Sequence, residues 1–218
     1  MLLLTGACTT ILSIDGEAPP DERGDAARDD AATNAAIVDG ARDGLAPADG
    51  SPPSARGKRV FVSATAQTGA LGGLAGADAI CAAEATRSGL AGVFIAYLHR
   101  GGGDTGHPGH RLPLDGGWSR VDGLAAFLGN PHDVAPTVPL DLTADAARLD
   151  AGERVWTGIT TGPSAQCGTG NDDAWTTTSP TLGGAGWGDP SVANAGTWAV
   201  HGTLAACTER LHIYCFEQ

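Results

Sequence analysis

VSATAQTGALGGLAGADAICAAEATRSGLAGVFIAYL, residues 62–98, decides how the rest of the chain is read. Its β-branched ends, two Gly-rich breaks and Ala-rich middle predict strand, turn, short helix, turn, strand. Within the middle, Ala77, Ile80, Cys81 and Ala85 recur at helical spacing and give one apolar stripe. Cys81 therefore lies on the face that the helix buries, where it can be tied to a distant part of the chain. Everything downstream makes best sense as a β-rich body closed onto this helix.

Working outward, RVFVSA (59–64) is alternating and β-branched and predicts a first strand. GVFIAYLH (92–99) predicts a second. Residues 100–117, RGGGDTGHPGHRLPLDGG, read as a flexible loop, residues 118–121 as a short strand and GLAAFLG (123–129) as a helical turn or two. After irregular chain at 131–139, TADAARL (143–149) suggests a short helix, and RVWTGIT (154–160) a central strand. From Gly162 a long Gly/Thr/Asn/Asp region carries Trp175, Trp187 and Trp198. LHIYCFE (211–217) predicts a final strand whose inward set is Leu211, Ile213 and Cys215.

The chain has 218 residues, 33 of them Gly, and a formal net charge of −12. That length suits one domain plus extensions. Clustered Lys and Arg are missing, so binding to nucleic acid or to an anionic membrane surface is excluded as a function class. Residues 16–57, dominated by Asp, Ala, Gly and Pro without an aromatic residue, predict a disordered acidic linker that acts as a spacer. Residues 1–15 open with MLLLTGA before Cys8, which resembles the tail of a bacterial lipoprotein signal. That resemblance implies lipidation of Cys8, with membrane contact only through the anchor. Thr9, in place of Asp, then favours the outer membrane or cell surface. Residues 58–218 form the globular domain, expected to be a monomer.

Besides Cys8 the chain has Cys81, Cys167, Cys207 and Cys215. An even number in an exported domain argues for two disulfides, with three pairings open. The wide gaps disfavour a cysteine zinc site, and nothing singles out a catalytic thiol.

GLAGADAICAAEATRSGLAGVFIAYL resembles the start of endostatin, and equally the endostatin-like domains of bacterial lipoproteins. The order continues with VWTG at 155–158, then Cys167 and Trp175, and a closing C-x7-C-x-E at Cys207, Cys215 and Glu217. The likeness spans residues 59–218. It implies an α+β, C-type-lectin-like fold: a mixed, mostly antiparallel sheet with short helices, long loops and two nested disulfides, Cys81–Cys215 and Cys167–Cys207. The alternation of LHIYCFE agrees, because Cys215 would face the core that receives Ile80 and Cys81.

Three candidate chemistries remain. His99, His107 and His110 with Asp104 offer imidazole and carboxylate ligands for zinc. Endostatin-like domains of animals bind zinc through N-terminal histidines, but SARGKRVF here has none, so that site does not carry over. Asn171, Asp172, Asp173 and Asp189 could supply oxygen ligands to Ca²⁺ if their loops converge. Trp175, Trp187 and Trp198 could form a stacking platform for a sugar or peptide, with at least one partly exposed. No G-x-S-x-G or H-E-x-x-H motif appears, so catalysis is not expected. The reading is a non-enzymatic, surface-anchored binding or adhesion module for a protein or glycan ligand, without a required cofactor. The alternatives are a calcium-dependent lectin and, from another class, a hydrolase.

Overall fold

A computed structural model describes residues 57–170, 172–179 and 183–218. Cys8, the signal remnant, the linker and Asn171 lie outside the described residues. The described chain is an α+β domain built from β1 (Lys58–Val62), α1 (Gly73–Arg87), β2 (Phe94–Ala96), β3 (Trp118–Arg120), β4 (Ala125–Phe127), β5 (Val155–Trp156), β6 (Trp187–Gly188) and β7 (His212–Glu217).

The strands make one mixed sheet in the order β4-β3-β1-β7-β5-β6, with β2 also paired to β7. Most pairs are antiparallel, and β1–β3 and β5–β7 are parallel. β7 is the hub. Phe216 faces Val60 on one edge and Ile95 on the other, and His212 faces Val155 further along. The alternation of LHIYCFE sorts its side chains into two layers. Leu211, Ile213 and Cys215 enter a core with α1, Phe61, Trp156 and Trp175. Tyr214 and Phe216 enter a second core with Val60, Tyr97, Trp118, Phe127 and Trp198. Both faces of β7 are thus buried, where a single inward face was expected, because the strand is covered on both sides.

The stripe on α1 behaves as the spacing predicts. Ala77, Cys81 and Ala85 are buried, and Ile80 packs partly buried against the same core. The N-terminal turn has no side-chain cap; instead Leu71 and Gly73 N–H donate to the Trp175 carbonyl at 2.7 and 3.0 Å. Gly89, at φ 69°, ends the helix in the left-handed conformation glycine favours there. Glu84, buried on the same helix, accepts the Ala64 N–H at 2.7 Å and so ties α1 to the end of β1.

Both disulfides pair as the resemblance implies. Cys81–Cys215 joins α1 to β7 with Cα atoms 5.5 Å apart, and Cys167–Cys207 spans 5.7 Å. Two stable bridges point to an oxidising, extracytoplasmic environment. Among the described residues no helix is long and apolar enough to cross a membrane.

Two predicted helices are not helices. GLAAFLG becomes β4, because Ala126 and Phe127 reach the core while β4 pairs with β3. TADAARL folds as a turn: Thr143 N–H donates to Ala147 O at 2.8 Å and Thr143 Oγ1 to the same carbonyl at 3.0 Å. Such local side-chain bonds compete with a helix, and Ala146 at φ 64° completes the turn. RVWTGIT pairs as a strand only at Val155–Trp156 before Gly158, at φ 73°, turns the chain away.

Candidate functional site

After β2 the chain stays buried through Tyr97, Leu98 and His99, then emerges at Arg100 into the Gly-rich loop. The loop is not loose. It contains two short 3-10 turns, Gly103–Gly106 and Pro108–Arg111, and the second carries Pro at its first position. Arg111 ties it down by donating to Ala96 O at 3.0 Å and to Asp78 of α1. Arg100 N–H donates to Gly106 O at 3.1 Å and closes the first turn. His99 and His107 act inside the loop. Their Nδ1 atoms accept backbone N–H groups, from Gly101 at 2.8 Å and from Gly109 at 3.1 Å.

A second loop, which begins at Asn130, meets the first. Asn130 is buried and cross-links the two: its Nδ2 donates to Gly109 O at 3.1 Å, and its Oδ1 accepts His132 N–H at 2.8 Å. The Tyr97 hydroxyl, buried below, donates to Pro131 O at 3.2 Å. Gly109 permits the approach, since a Cβ there would lie 2.5 Å from the His132 Cβ. The result is a run of four imidazoles, His99, His107, His110 and His132. The His107 and His132 rings are 4.5 Å apart and those of His110 and His132 4.6 Å.

Asp104 faces this run. Its carboxylate lies 3.2 Å from His132 Nε2 and 3.5 Å from His110 Nε2. Asp133 holds the other side of His132, 2.8 Å from Nδ1. The electrostatics follow from these contacts. Hydrogen bonding to Asp133, then to Asp104, holds the His132 imidazole above its ordinary value. The bond to His132 holds the Asp104 carboxyl below the usual carboxylate range. Burial first, and then the neighbouring imidazoles, pulls His107 down to about 4. Burial also lowers His99.

Clefts run along the same loop. One of about 250 Å³ is lined by His99, Asp104, His107, Ile159, Thr160 and Pro163. A second, about 190 Å³, lies between Leu74, Arg100, His107 and His110. A third, about 290 Å³, is walled by Arg100, Thr105 and Asp172. The arrangement can hold a cation between imidazole and carboxylate, and can offer polar groups to a ligand lying across the loop.

The other predicted groups are placed differently. The three tryptophans make no stacking platform, because all are buried: Trp175 at 0%, Trp198 at 5% and Trp187 at 9% exposure. Trp175, at φ 65°, is a pin: its indole N–H donates to His99 O at 2.8 Å while its carbonyl receives the start of α1. Trp198 packs against Tyr97 and Phe127. Trp187 stacks on His201 at 3.7 Å under the Arg154 guanidinium. Large apolar rings in a Gly-rich region go to the core because few other residues there can anchor it.

Nor do the described acids converge on a calcium site. Asp173 is taken up by Thr169, whose N–H it accepts at 3.1 Å, and Asp189 accepts Ser191 N–H at 2.9 Å. Asp172 is exposed. The cluster of three potential metal ligands among the described residues is Asp104, His110 and His132. Sequence reading found two of its members and missed His132, together with the Asp133 beside it. The signal lay in the dipeptide His132-Asp133, an imidazole with its own carboxylate, within a stretch read as irregular. No protein-family model matches the chain, and no curated protein matches it.

Proposed function

We propose that this protein is a non-enzymatic, extracytoplasmic binding or adhesion module of C-type-lectin-like, endostatin-like fold, held at a membrane surface through a lipid on Cys8. Its recognition face is the loop of residues 99–111, rather than a platform of Trp175, Trp187 and Trp198. The observation that carries this reading is the sharing of one loop by three adjacent clefts, in which Arg100, His107, Thr105 and Asp104 present polar groups around apolar Leu74 and Ile159. The loop is fixed by buried groups at both ends, so little ordering remains to be done on binding. The two disulfides, joined in the order that the resemblance implies, support the fold assignment and the oxidising location. The ligand class is a glycan or a protein of the cell envelope.

The test immobilises residues 58–218 and presents a glycan array and envelope-derived proteins, with Ca²⁺ or with chelator. Retention of a defined ligand that Arg100→Glu and Thr105→Arg abolish, and His201→Gln does not, supports the assignment. Retention that ignores the loop variants, or turnover of a model ester or glycoside, overturns it. A signal lost with chelator and restored by Ca²⁺ moves the protein to the calcium-lectin class. Mass spectrometry of the N-terminal peptide from membrane fractions tests the anchor, which an unmodified Cys8 would exclude.

A further inference from the structure

We infer that Asp104, His110 and His132 form a binding site for a borderline divalent cation, with Zn²⁺ the leading occupant. The inference goes beyond the ligand-binding reading above and stands without it.

The ligand atoms of the three side chains all lie within 4.8 Å of one another. Zinc bonds to imidazole and carboxylate are about 2.0–2.2 Å, which in tetrahedral geometry places neighbouring donors roughly 3.3–3.6 Å apart. The carboxylate of Asp104 reaches both rings, Oδ1 at 3.2 Å from His132 Nε2 and Oδ2 at 3.5 Å from His110 Nε2. Donors within 4.8 Å of one another have to draw in by about an ångström to reach that spacing. All three side chains are at least partly exposed, which leaves the rings and the carboxylate room to turn toward one another.

Protonation separates ligands from bystanders. His132 Nδ1 lies 2.8 Å from Asp133, so a neutral ring that keeps its proton on that side would offer Nε2 to a cation in place of its present contact with Asp104. This carboxylate–imidazole relay is the usual outer support of a metal-bound histidine. His99 and His107 are arranged the other way. Each spends its Nδ1 lone pair on a backbone N–H, so in the neutral ring the proton sits on Nε2 and no lone pair remains for a metal. They wall the site and do not ligate. The four-residue set expected from sequence therefore loses His99 and His107 and gains His132.

The site is also held in advance. Asn130 bonds both ligand-bearing loops, Tyr97 fixes the Pro131 carbonyl, and Gly109 allows the close approach. Two imidazoles with one carboxylate suit Zn²⁺, and next Cu²⁺ or Ni²⁺, rather than Ca²⁺ or Mg²⁺, which take all-oxygen sets. Exposure of Asp104 leaves a fourth position open to water or to a donor group from outside.

The experiment uses the full oxidised chain without a polyhistidine tag, with Cys8 alkylated and adventitious metal stripped. Calorimetric titration with ZnCl₂ should give one site per chain. Asp104→Asn and His132→Ala should each weaken binding at least about tenfold, while His201→Gln leaves it unchanged. Should a variant fold poorly, histidine-ring ¹H–¹⁵N spectra of the wild type identify the ligands directly. Zn²⁺ should shift the Nε2 resonances of His110 and His132 and leave those of His99 and His107 in place. Absence of saturable binding, equal affinity in Asp104→Asn, or a response led by His99 and His107 overturns the site.

Discussion

The Cys81–Cys215 bridge offers the sharpest test of the architecture. Replacing both cysteines by alanine removes a cross-link between residues 134 apart, whereas the Cys167–Cys207 pair closes only 40. On the loop-entropy relation the first is worth about 5 kcal/mol and the second about 4 kcal/mol at 25 °C. All four cysteines are buried, so the packing lost with each sulfur pair is similar and the difference of about 1 kcal/mol reflects loop length. Domains are commonly stable by about 5–15 kcal/mol, so loss of the long bridge removes a large share of the total. With a urea m-value of roughly 1–3 kcal/mol/M, the midpoint of Cys81→Ala/Cys215→Ala should fall by about 2–5 M. Urea titration of the two double variants beside the wild type, followed by tryptophan fluorescence, reads this out. The reasoning is refuted if the short bridge proves the more costly to lose, or if removing the long one shifts the midpoint by less than 1 M.

Other perturbations act on single contacts. Gly69→Ala puts a Cβ 2.1 Å from Cys167 Sγ, so it should block or distort the second bridge; mass spectrometry with and without reductant should reveal unpaired thiols at 167 and 207. Glu84→Ala removes the bond to the Ala64 N–H together with the packing of a buried side chain and should cost about 1–3 kcal/mol, whereas Glu84→Gln, which keeps an acceptor, should recover much of it in the same urea titration. His107 should give the domain an acid limb. Its folded pKa, about 4, lies below that of the unfolded chain, about 6.5, so its contribution is present above pH 6.5 and lost as the pH falls toward 4. His132 acts in the opposite sense, being held up by Asp133 and Asp104, and its contribution fades as the pH rises through its folded pKa. Thermal unfolding between pH 7 and 4 should therefore show a flatter acid limb in His107→Gln, and an unaltered limb would count against it.

What could be read in the sequence was whatever local chemistry determines. The α1 stripe, the alternation of residues 211–217 and the Gly-rich breaks around the helix carry their own signals. The structure places each near where the pattern puts it. The pairing of the cysteines was left open by their positions and came only through the family resemblance. Tertiary context decided the rest. Ala125–Phe127 became a strand because β3 offers an edge, which no local preference encodes. The tryptophans went inward because the 162–200 region has few other apolar groups. Two of the three potential metal ligands were visible, since Asp104 and His110 share a loop. His132 reaches them only because Asn130 bridges two loops separated by β3 and β4.

The position of β7 has a consequence for biogenesis. β1 and α1 leave the ribosome well before the strand that completes them, and Cys81 waits 134 residues for its partner. Until residues 212–217 arrive, the sheet lacks its middle and the interior has nothing to close around. A chain built this way stays open during synthesis, which suits passage through a secretion channel. It also leaves the Cys81 thiol free to join Cys167 first, so fidelity rests on disulfide reshuffling in the destination compartment. The strand at residues 212–217 is thus the one that commits the fold.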